Sequence, residues 1–70
     1  MNKRDESRIV KTALEAAGFR ARVGHGTGTS AWWLYISIDD ISRSSEAVEI
    51  AQRVTARHGD YDGNINVFTL

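Results

Sequence analysis

The sequence predicts an α+β domain in two layers, ordered α-β-β-α-β, with a three-stranded, mainly antiparallel sheet and two helices packed on one of its faces. Three observations lead there. Two stretches repeat apolar residues at helical spacing. The segment Phe19–Ile38 alternates apolar and polar residues on either side of a glycine-rich turn. A last short run, Asn64–Leu70, is rich in β-branched and aromatic residues.

The first helix is expected from about Lys3 or Glu6 to Ala17. Asn2 and Asp5 are competent N-caps, and Asp5 and Glu6 suit the positive end of the helix dipole. Ile9, Val10, Ala13, Leu14 and Ala17 make the stripe of a helix lying on a sheet. Gly18 stands where a C-terminal cap calls for a left-handed residue.

The hairpin follows. Phe19, Ala21 and Val23 alternate with Arg20 and Arg22, and the run Ala31–Ile38 sets Trp32, Leu34, Ile36 and Ile38 against Trp33, Tyr35 and Ser37. Between them, Gly24, Gly26 and Gly28 favour a long turn. Burial of one face then fixes the register, because a slip of one residue would expose every apolar side chain. Pairing Val23 with Trp32, Ala21 with Leu34 and Phe19 with Ile36 satisfies it. That register sets Arg22 across from Trp33 and Arg20 across from Tyr35.

Asp39 to Ser45 supplies a turn and a choice of caps. The second helix presents Ala47, Ile50, Ala51 and Val54 on one face and ends near Arg57-His58, ahead of Gly59. Asp60 to Gly63 reads as a turn. In the last strand Ile65 and Val67 are assigned inward and Asn66, Phe68 and Leu70 outward, the opposite parity being nearly as good a fit. Each helix has one apolar stripe and needs a partner layer, so both cover the same sheet face. The favoured strand order is 2-1-3, with the last strand beside the first, and the other sheet face open.

Seventy residues make one domain, residues 1–70, with no linker or repeat. A chain of this size buries only about 60% of its unfolded surface. It has no cysteine, hence neither disulfide nor thiolate metal site. The charged start MNKRDESR is followed by no apolar run, and no stretch approaches the roughly 20 apolar residues of a membrane helix. The expectation is a cytoplasmic protein with no membrane partner. Nine basic and nine acidic residues balance to zero, which counts against strong non-specific binding to duplex DNA but not against a local basic patch.

The open face is the candidate binding surface: Arg20, Arg22, Trp33, Tyr35 and Phe68, with His25, Thr27 and Thr29 in the polar Gly24–Ser30 loop. Trp, Tyr and Arg are enriched at protein-binding hot spots. Aromatic rings with neighbouring guanidiniums on an open sheet also stack unpaired bases. The plainer reading is cross-strand packing, worth a few tenths of a kcal/mol per pair. The lead expectation is a non-enzymatic module that binds a protein partner or a second copy of itself; the alternative is a single-stranded nucleic-acid binder.

Other chemistry is excluded motif by motif. The G-x-G-x-G of the loop lies between strands and matches neither a Walker loop nor the dinucleotide fingerprint, which opens a helix. His25 and His58 show no nucleophile or orienting carboxylate beside them, and helix capping accounts for His58. Asp60 to Asn64 begins like a calcium loop, but the glutamate at the twelfth position would fall beyond Leu70. Asp39-Asp40 reads as capping. No catalytic residue, metal ligand or cofactor is expected.

The stretches Gly18-Phe19-Arg20-Ala21-Arg22-Val23, Gly26-Thr27-Gly28-Thr29 and Trp32-Trp33-Leu34-Tyr35-Ile36 resemble small α+β proteins of phages and other mobile elements. Those place a short helix before an Arg/Val strand, a Gly-Thr-rich turn and a Trp-containing strand. The resemblance covers about residues 9–38. It implies a small accessory protein of bacterial or phage origin and assigns no site residue.

Overall fold

The computed structural model describes residues 2–55, 57 and 64–70. It contains helix α1 (Lys3–Ala16), strands β1 (Ala21–His25) and β2 (Leu34–Ile38), helix α2 (Ser44–Thr55) and strand β3 (Ile65–Thr69). The α-β-β-α-β order and the two-layer α+β class expected from the sequence are both present.

Local chemistry sets the ends of α1. Asn2 accepts the Asp5 amide at 2.8 Å, and Gly18 leaves the helix with a φ of +94°, a conformation that strains any residue with a Cβ. The last turn of α1 has no basic residue of its own. Arg43 supplies the cation from a distance: it donates to the Ala17 carbonyl at 3.1 Å and lays its guanidinium over the Phe19 ring at 4.0 Å. Arg43 lies in a 3-10 turn, Ile41–Arg43, whose N-cap Asp40 accepts from the Ser42 amide; Asp39 accepts from the Arg20 amide. The adjacent aspartates serve turn and capping chemistry.

The inner sheet face and both helical stripes form one core. Leu34, Ile36 and Ile38 of β2 are wholly buried, with Val10 and Leu14 of α1 and Ala47 and Ala51 of α2 against them. Ile65 and Val67 of β3 pack on this core, while Phe68 and Leu70 stay about half exposed, so the inward set of the last strand is the one assigned.

Two expectations are corrected. The strand order is β1-β2-β3 rather than 2-1-3: β3 lies beside β2 and parallel to it, and β1 pairs with β2 antiparallel, so the sheet is mixed. The reason is burial. The most apolar strand takes the centre, where both its edges are bonded, and α2 becomes the direct crossover between neighbouring parallel strands. The strand carrying Arg22 and Gly24 is left at an edge.

The hairpin register also differs. Ala21 pairs with Ile38 and Val23 with Ile36, four positions further along β2 than expected. Gly24 and His25 belong to β1, and Gly26 donates to the Trp33 carbonyl, so pairing runs past the first glycines. The chain reverses later, through a 3-10 turn at Gly28–Ser30. Gly26 has a steric role here, since a Cβ on it would stand 2.2 Å from the Ser30 carbonyl oxygen. A slip of an even number of residues preserves the faces, which is why the core residues survive it.

Candidate functional site

Of the sequence-derived candidates, the outer sheet face carries Arg22, Tyr35 and Phe68. Its rows read Arg22–Ser37–Phe68 and Gly24–Tyr35–Asn66 across the three strands. Tyr35 and Phe68 meet edge-to-face, centroids 5.6 Å apart. Trp33, just ahead of β2, is 40% exposed and Phe68 50%. Arg20 and Arg22 are exposed. The pairing expected for these arginines does not form: Arg22 faces Ser37, Gly24 stands opposite Tyr35, and Arg20 is not across from Tyr35. The aromatic cluster therefore joins β2 to β3, and the arginines flank it on the far strand. Thr27 and Thr29 are exposed in the turn and no side-chain cap bond holds the Gly28–Ser30 segment.

His25 sits elsewhere. The sequence reading put it on a loop with no carboxylate beside it; the structure places it at the end of β1, its side chain only 7% exposed. Its Nε2 is 2.6 Å from Glu6 Oε1 and its Nδ1 3.3 Å from Ser7 Oγ. An ionised carboxylate only accepts, so Nε2 carries the proton. Arg57 closes on the same carboxylate, with Nε donating to Oε2 at 2.9 Å and Nη2 to Oε1 at 2.8 Å. Its guanidinium is covered by the Trp32 ring at 4.6 Å. Trp32 was expected on the inner face opposite Val23; it is 60% exposed, in the turn before β2, with the arginine beneath it.

This cluster ties α1, β1, the turn before β2 and the segment after α2 at one point. Sequence reasoning missed it because its members are spread over 51 positions between Glu6 and Arg57. The one local signal is a glutamate in the first turn of a helix, which the dipole already explains. The contacts run in the order Ser7–His25–Glu6, and the Glu6 carboxylate also takes two bonds from Arg57, so the cluster ties distant parts of the chain together.

The Arg57 bonds hold the Glu6 carboxyl below the ordinary glutamate range, against burial, with His25 adding to the depression. A depressed folded-state value gives stability that is present above the ordinary glutamate range and lost as pH falls through the folded value. Thermal melts from neutral pH into that acid range are expected to show a loss of stability that is smaller in Glu6→Gln, which has no such group to titrate.

Among the described residues no group of His, Cys, Asp and Glu is arranged to hold a metal ion, and no helix is long and apolar enough to cross a membrane. His58 and the Asp60–Gly63 turn, with the calcium-like opening, lie outside the described residues. The chain matches no protein-family model, no curated protein and no solved structure. Geometry and residue chemistry carry the functional reading.

Proposed function

We propose that this is a small cytoplasmic binding module, without enzymatic activity, that engages a protein partner, a second copy of itself included, through the open sheet face. The observation that carries this reading is the Tyr35–Phe68 pair, two rings in contact on the face the helices leave uncovered, with Phe68 half exposed. Trp33 and Leu70 are also about half exposed. Aromatic anchors ringed by polar groups such as Arg22, Ser37 and Asn66 match the composition of a binding hot spot and its rim. The single-stranded nucleic-acid alternative has less support on this face, because Arg20 and Arg22 are not set opposite Tyr35.

A photo-crosslinking aromatic residue at position 68 of the full chain, compared with one at the exposed helical position Arg4, tests the reading. Polypeptide adducts at position 68 and none at position 4 are expected. Equal yields at both positions would overturn it. Saturable, salt-sensitive quenching of tryptophan fluorescence by single-stranded oligonucleotides would put the nucleic-acid function in its place.

A further inference from the structure

The two edges of the sheet differ in kind. The β1 side is charged: Arg22 in the strand and Arg20 just ahead of it are exposed, and both line a pocket with Lys11, Glu15 and Leu70. Charged side chains at an edge are how folded proteins prevent strand addition. Among the described residues, the β3 strand itself supplies no such charge. Asn64–Leu70 contains no charged residue and no proline.

The ladder settles which backbone groups that edge offers. Leu34 donates to the Asn64 carbonyl, and Leu70 donates to the Ile38 carbonyl. In a parallel pair successive residues turn their N–H and C=O to opposite sides, so the even-numbered positions of β3 bond to β2. Ile65, Val67 and Thr69 direct theirs away from the sheet, and among the described residues no strand lies beyond β3. Along the same edge runs a groove of about 460 Å³, lined by Ile41, Val48, Ile65 and Val67 with Ser44 and Ser45.

We infer that β3 pairs with β3 of a second copy, antiparallel about a two-fold axis at Val67, to make a continuous six-stranded sheet. In that register Val67 exchanges both backbone bonds with the partner's Val67, and Ile65 does so with the partner's Thr69. A two-fold axis makes any edge its own complement. The groove then meets its own image, so the part-buried Val48, Ile65 and Val67 and the exposed Ile41 are covered by the same side chains of the partner. The formal net charge of zero sets no long-range repulsion between copies. The β1 edge, with its arginines, does not compete. This pairing uses backbone at the sheet edge and stands apart from the open-face reading.

Solution mass from micromolar to millimolar protein, with amide exchange on the same samples, tests it. Dimer is expected to form as concentration rises, with the amides of Ile65, Val67 and Thr69 gaining protection. Thr69→Pro removes one outward N–H and leaves the bonds to β2 intact, so it is expected to weaken dimerisation by about tenfold or more. Arg4→Ala alters only an exposed position of α1, away from this edge, and is expected to leave it within about threefold. A monomer at every concentration overturns the inference. So does a dimer that survives Thr69→Pro, or one in which those amides gain no protection; the exchange result decides even if the proline variant does not fold. Because the pairing brings Phe68 near the partner, self-adducts at position 68 support the open-face reading only when they persist in Thr69→Pro.

Discussion

Glu6→Ala is expected to destabilise the protein by about 3 kcal/mol or more, the usual effect of removing one member of a buried ion pair. The size follows from what the carboxylate holds. Arg57 and His25 are 5% and 7% exposed, and both direct ring or guanidinium N–H groups at Glu6. Without Glu6 a buried positive charge loses that acceptor at a site where water does not readily replace it. For a 70-residue chain, total stability is on the order of 4–10 kcal/mol, so the loss is a large share of it. Urea unfolding followed by circular dichroism measures it. Arg8→Ala is the control: its contact with Asp5 is exposed at both ends and spans 3.5 Å, and its removal is expected to change stability by less than about 1 kcal/mol. If the two variants unfold alike, the cluster is not what joins the segment after α2 to the first helix.

The elements of the fold were legible because each is specified over a few neighbouring residues. The α1 stripe, the Asn2 cap, Gly18 at the helix end and the alternation of Leu34, Ile36 and Ile38 are all local patterns, and the structure has them. Strand order and register are not local. They depend on which strand gains most from the centre of the sheet and on where a glycine-rich segment turns, and several turns satisfy the same three glycines. Within the strands face parity survived both errors, since the two possible faces differ by an odd slip and the actual slip was even; Trp32, which falls in the turn ahead of β2, left the inner face.

The candidate site divides in the same way. Membership of the outer face follows from parity, so Tyr35 and Phe68 lie on the face assigned to them. The neighbours of each residue on that face follow from register and order, so the arginine–aromatic pairs were misplaced and the Tyr35–Phe68 contact was not anticipated. The Glu6–His25–Arg57 cluster lay beyond reach altogether. Its members share no periodicity, and a helix, an edge strand and the segment after α2 meet only once the tertiary fold has formed.

Leu34→Ala beside Trp33→Ala puts the parity on which the open face depends to a direct test. The residues are adjacent and both are large, so composition and sequence position do not separate them; burial does. Leu34 is wholly buried in the central strand, in one core cluster with residues of both helices, and its truncation is expected to cost ~2–5 kcal/mol through lost contacts and an unfilled cavity. Trp33, 40% exposed, is expected to cost much less in stability and instead to lower the yield of partner adducts at position 68. The contrast between the two readouts is what counts. A core position loses stability, whereas an interface position loses binding while the unfolding midpoint stays near that of the parent chain. The reverse pattern would place Trp33 in the core, turn Tyr35 and Phe68 toward the helices, and leave no aromatic surface for a partner to meet.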